Sequence, residues 1–213
     1  MHRYDSSRRL LAYGVAGLAG FVDATGFLAA DGYFVSFMSG NTTRLGVDIG
    51  TQASAAIVPA LLIFGFICGV TAGALVSESA SRTRKSAVLA LSSVLIVTAA
   101  IGHALDSKLV FLGGLVTAMG AINNMFRKDG EVAVGVTYMT GALVRLGQGL
   151  AARLQGRPFD GALASVTLWG SLALGAIAGA LATGAIPAWA PWIPAFASLA
   201  LLGAALRLEL RQA

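Results

Sequence analysis

Asp23 stands as a lone carboxylate in a run of apolar and small residues from Leu10 to Ala30. An ionisable group in such a run is costly to bury, and it marks a proton, ion or substrate pathway or a bond to a neighbouring helix end. Further along lies the polar string Ser39-Gly40-Asn41-Thr42-Thr43, closed by Arg44. A reduced version recurs as Thr140-Gly141, followed by Arg145. Ser or Thr ahead of a short helical stretch reads as an N-cap, so Ser39 and Thr140 are expected to cap two short helices. An open helix N-terminus offers unpaired amides and the positive end of a dipole, which suits an anion or the negative end of a polar solute. The candidate site is therefore Ser39, Gly40, Asn41, Thr42, Thr140 and Gly141, lined by Asp23 and Asn123, with Arg44 and Arg145 at its edges.

Each of these residues also has a plainer role. Ser39 and Thr140 could cap surface turns, Arg44 could pair with Asp48 one turn later, and Arg145 could anchor the chain at the membrane surface. The residues of hydrolysis and nucleotide binding are missing: there is no Ser/His/Asp set, Walker loop, Rossmann fingerprint or carboxylate pair. The single cysteine, Cys68, excludes an internal disulfide and a cysteine metal site and is expected to pack between helices. His2 and His103 lack metal-binding company. No cofactor and no enzymatic activity are expected; an enzyme using Asp23 on a lipid would lack a second catalytic group in its half.

The elements that must hold these residues are membrane helices. A hydrophobic fraction of 56%, a charged fraction of 12% and a mean hydropathy of +0.77 place the chain outside the range of water-soluble domains. Apolar stretches of about 20 residues, each able to cross a core of ~30 Å, run from Leu10 to Ala30, Ala55 to Val76, Ser86 to Leu105, Leu109 to Phe126, Leu163 to Ala185 and Ala188 to Leu206. The first could instead be a signal segment cut after Leu28-Ala29-Ala30, although the duplication described below runs through that cut. Trp189 and Trp192, among Pro187, Pro191 and Pro194, suit an interfacial belt.

Charge placement orients the spans. With both termini cytoplasmic, every Lys and Arg falls inside except Arg44 and Lys108. The net charge of +5 is thus a topology signal, with no nucleic-acid partner implied.

The chain also repeats itself. Gly20-Phe-Val-Asp23 answers Gly120-Ala-Ile-Asn123, Asp31-Gly32 answers Asp129-Gly130, Met38-Ser39-Gly40 answers Met139-Thr140-Gly141, and Arg44-Leu45-Gly46 answers Arg145-Leu146-Gly147. The ridge Gly65, Gly69, Gly73 answers Ser171, Gly175, Gly179, small residues four apart that allow close helix packing in lipid. The expected fold is one all-α polytopic membrane domain over 1–213, about six transmembrane helices in two inverted three-span repeats, 10–105 and 109–206. Each repeat carries a re-entrant segment made of an extended strand, Tyr33 to Met38 in the first, and a half-helix. If those segments instead crossed fully, the repeats would be parallel and Arg82, Arg84, Lys85, Arg127 and Lys128 would lie outside. Ala142 and Leu143 replace Asn41 and Thr42, so an asymmetric pocket is expected.

The string Gly-Phe-Val-Asp-Ala-Thr-Gly-Phe at 20 to 27, with Phe-Val-Ser-Phe-Met-Ser-Gly-Asn-Thr-Thr at 34 to 43 and Arg-Leu-Gly at 44 to 46, resembles the YoaK family of bacterial inner-membrane proteins. The resemblance extends over essentially the whole chain and implies a multi-pass inner-membrane protein of a domain-of-unknown-function group. The two polar segments are also faintly similar to the broken helices of sulfate-permease and nucleobase transporters. The functional expectation is a small-solute transporter or channel, for an anion or a compact polar metabolite, with the bilayer as surroundings and a homodimer through a glycine ridge as a candidate assembly. The rival is a non-transporting membrane scaffold.

Overall fold

Long runs of Leu, Ala, Val, Ile and Gly form helices that satisfy their own backbone, as any segment in lipid must. The computed structural model describes residues 6–80, 83–128, 131–132, 139–157 and 161–211. The helices are α1 (Ser6–Ala29), α2 (Met38–Thr51), α3 (Ile57–Ser79), α4 (Arg84–Ala104), α5 (Lys108–Ile122), α6 (Met139–Leu154), α7 (Ala162–Ala185) and α8 (Trp192–Leu210). The strands are two-residue pieces, β1 (Arg127–Lys128) paired antiparallel with β2 (Glu131–Val132).

Five helices, α1, α3, α4, α7 and α8, are long and apolar enough to cross a membrane. The fourth expected span, Leu109 to Phe126, is a helix of only 15 residues, α5, followed by turns. It is the centre of the bundle: Leu115, Val116, Ala118, Met119 and Ile122 are almost wholly enclosed. Around it gather Val15, Leu18 and Val22 of α1, Val88, Leu89 and Ile96 of α4, and Phe66 of α3 in one apolar core. By contrast α7 shows its apolar side chains outward, among them Leu174, Ile177 and Leu181.

Lipid supplies no hydrophobic drive between helices, so assembly depends on how closely backbones approach. Both glycine ridges are used for this inside the chain. On α7, Gly175 lies against the Gly17 carbonyl and Gly179 against that of Phe21, while Gly20 of α1 lies against Leu172 and Ala176. On α3, Gly69 lies against the Thr117 carbonyl and Gly73 against that of Ala121, while Gly120 of α5 lies against Phe66 and Val70. A Cβ at any of these glycines would enter a neighbouring backbone. The ridges are therefore occupied within the chain. In both pairs the contact positions rise together, so α1 runs parallel to α7 and α3 parallel to α5.

The other contacts complete the directions. Gly114 meets Leu95 and Ala99 while Gly102 meets Val110 and Phe111, so α4 and α5 are antiparallel. Glu209, at the end of α8, accepts from the Lys85 and Ser86 amides at 2.9 and 3.3 Å and from the Ser86 hydroxyl, capping the start of α4. An acid at a helix N-terminus is favoured by both the orphan amides and the dipole. At the opposite end Lys108 pairs with Asp31 at 2.8 Å, an exposed bridge worth about 0–1 kcal/mol.

Three expectations are corrected. Residues 33 to 37 form no strand; they run as an irregular connector into α2. Ser39 does not cap α2, which begins at Met38 after Phe37, with no side-chain cap bond. Thr140 likewise lies inside α6, which begins at Met139. Cys68 is exposed on α3 and does not pack between helices. The matched pair Asp129-Gly130 and the stretch 133–138 lie outside the described residues.

Gly175→Leu is expected to destabilise the protein by about 1–3 kcal/mol or prevent folding, because the leucine must force α7 away from α1. Gly203→Ala, where no atom lies within 4 Å of the added methyl, should be tolerated. Thermal unfolding of the purified variants in detergent checks the contrast; equal losses would contradict the close-packing account.

Candidate functional site

The site grows from the connector between α1 and α2. After Asp31 and Gly32, both at positive φ, the chain turns back along α1. Phe34 comes against Phe27 with ring centroids 4.8 Å apart, and Val35 packs onto Gly26. The Val35 and Ser36 amides then donate to Asp23 Oδ1 at 3.0 and 2.9 Å. At 1.5 Å per residue, Asp23 lies about 9 Å from the end of α1 at Ala29, so the connector descends by roughly that depth. From Met38 the helix α2 climbs back, bringing Arg44 beside Gly32 and over the Tyr33 ring at 5.3 Å.

Two polar side chains hold this descent. Asp23 is the first. The second is Asn41, wholly buried: its Oδ1 accepts from the Phe34 amide at 2.9 Å and its Nδ2 donates to the Phe34 carbonyl at 2.6 Å. That paired bond replaces the strand ladder the connector lacks and satisfies both backbone groups of one residue. Gly40 is needed here, since a Cβ would strike the Phe34 and Phe37 rings.

The remaining expected site residues are spread apart. Ser39, Thr42 and Arg44 are exposed on α2, and Thr42 returns its hydroxyl to the Met38 carbonyl at 2.9 Å. Arg44 does not pair with Asp48; among the described residues Asp48 instead accepts from the Tyr33 hydroxyl at 2.7 Å. That bond holds the Tyr33 phenol above its usual range. In the second half, Thr140 is exposed, Gly141 lies beside the Arg145 guanidinium, and Arg145 donates to Ser165 Oγ at 3.3 Å. Asn123 is buried and donates to the Met119 carbonyl at 2.8 Å. Helix α2 packs on α3 and α6 packs on α7, and α2 and α6 do not touch among the described residues.

Asp23 and not a helix N-terminus marks the pocket. A cavity of about 180 Å³ is lined by Asp23, Ala24 and Phe27 of α1, by Phe34, and by Leu172 and Ala176 of α7. Phe27, Phe34, Leu172 and Ala176 escaped the sequence reading, since apolar residues in a span look alike until the helices are paired. A second pocket of about 210 Å³ sits at the α4–α5 turn beside His103 and Lys108, the latter already engaged by Asp31.

Residues 11–204 match a family described as "Protein of unknown function (DUF1275)". A protein of Rhizobium meliloti (strain 1021) named "UPF0700 transmembrane protein RA0705" is 37% identical over 211 residues, covering 98% of this chain and 91% of the relative. The "UPF0700 transmembrane protein YoaK" of Bacillus subtilis (strain 168) is 31% identical over 144 residues, covering 64% of each. No solved structure matches the chain. These relatives and the long apolar helices make this a multi-pass membrane protein.

Asn41→Ala leaves the buried Phe34 amide and carbonyl unpaired, and each such group costs about 1–3 kcal/mol. The variant is expected to unfold at clearly lower temperature than Thr42→Ala, whose side chain bonds only within its own helix. Parallel melting curves check this; matching curves would remove Asn41 as the clamp.

Proposed function

The chain belongs to the DUF1275 family, and from the geometry beside Asp23 we propose that it carries a small solute across the bacterial inner membrane as a transporter or channel. The observation that carries this reading is the pocket of about 180 Å³ within the span α1, walled by a second span and by an irregular connector, with a carboxylate on its surface. Irregular backbone at membrane depth is tolerated where it is enclosed by protein or borders a cavity, and here it does both.

The architecture proposed around it is six crossings in two inverted halves, with α5 as the short central crossing. The parallel pairing of α1 with α7 and of α3 with α5 supports this, because each half then lends its first helix to the other half's third. The meeting of Glu209 with the start of α4 puts those two ends on one side, and Lys108 with Asp31 puts the end of α1 and the start of α5 on the other. On this reading α2 and its connector form a re-entrant hairpin from the outer face, α6 starts from the inner face, and both termini are cytoplasmic. Inverted halves with broken segments are a recurrent plan for alternating access.

One observation favours the rival scaffold. Asp23 and Asn41 both spend hydrogen bonds on the connector's backbone, which is what residues that only close a fold would do.

Reconstituted into liposomes, the protein is expected to pass at least one member of a panel of small amines, amides, carboxylates and inorganic ions faster than empty vesicles. Asp23→Asn, which keeps the shape but removes the charge, should abolish most of that flux. Wild-type vesicles inert to the whole panel would favour the scaffold.

A further inference from the structure

Residues that line the pocket beside Asp23 have counterparts in the duplicated half, and several of those counterparts are larger. Where Asp23 and Ala24 stand in α1, the turn that follows α5 carries Asn123 and Asn124; where Leu172 and Ala176 stand in α7, α3 carries Phe66 and Val70. Asn124 bonds the Val70 carbonyl at 3.0 Å, and Phe66, Asn123 and Asn124 are all buried. At these positions Phe66 is larger than Leu172, Val70 than Ala176 and Asn124 than Ala24, so it is beside Asp23 that small residues leave room.

Its lining has a definite chemistry. Asp23 is the ionisable residue on the wall, Phe27 and Phe34 contribute aromatic rings, and the rest is aliphatic. The nearby guanidinium of Arg44 is turned onto Tyr33 and is not part of the wall. An anion there would face a carboxylate with no cation to offset it. A compact organic cation would meet the carboxylate on one side and the negative faces of the rings on the other, the arrangement that recognises ammonium groups. We propose that this pocket binds small alkylammonium ions, with Ala24 and Ala176 setting the size accepted. This deepens the transport reading, but binding is measured apart from flux.

The test uses the full chain in lipid nanodiscs, titrated with methylammonium and tetramethylammonium, with sodium acetate and tert-butanol as anionic and neutral controls. Ligand that binds the folded state raises its melting temperature by mass action. The alkylammonium ions are expected to raise the melting temperature in a saturable way and the controls to leave it unchanged. Ala176→Val, which fills the pocket without touching the Asp23 bonds, should weaken the effect about tenfold or more while retaining a cooperative melt. Asp23→Asn should abolish it, and if that variant fails to fold, Ala176→Val alone decides. No shift with either ammonium ion, an equal shift with acetate, or an unchanged affinity in Ala176→Val would overturn the proposal. Binding without flux would leave the site standing and defeat the transport reading; flux of an anion without ammonium binding would do the reverse.

Discussion

Close backbone contact at glycine is the constraint on which the rest of this structure depends. In lipid, two apolar helices gain little by exchanging tails for each other, so what holds them is dispersion across a short distance. Gly20, Gly175 and Gly179 make that distance available to α1 and α7, and Gly69, Gly73 and Gly120 make it available to α3 and α5. Each pairing joins one half of the chain to the other.

With those pairs in place, the connector before α2 can leave regular structure. Two side chains take its backbone groups in place of a regular ladder: Asp23 for Val35 and Ser36, Asn41 for Phe34. The same carboxylate then borders the pocket between α1 and α7. A group that holds the connector and also touches the pocket couples the two physically, since anything that draws the carboxylate toward the cavity competes with the amides that keep the hairpin in place.

Much of this was legible from residue types. The span positions, the matched glycine ridges and the polar string follow from hydropathy and self-similarity, because lipid imposes length and composition on anything that crosses it. The placing of Asp23 within a span was legible for the same reason. The roles within the polar string were not: Ser39 looked like a cap and Asn41 like a ligand, yet Ser39 is an exposed helical residue and Asn41 is the buried clamp. A serine before glycine has the same local preference in either register, and which one is realised depends on where Asp23 and Phe27 catch the incoming chain.

The sequence by itself determined that this is a multi-pass helical membrane protein with a carboxylate within a span and a duplicated set of small-residue ridges, since each of these is a matter of composition and spacing. Only the tertiary structure decided that the ridges pair across the halves, that α5 is short and central, and that Asp23 borders a pocket. Those outcomes depend on which backbone a glycine meets, and on Ala176 standing opposite Asp23 where the other half has Val70 beside Asn124. No local pattern carries that information, because it belongs to residues about 150 positions apart that share a wall only after the helices have packed.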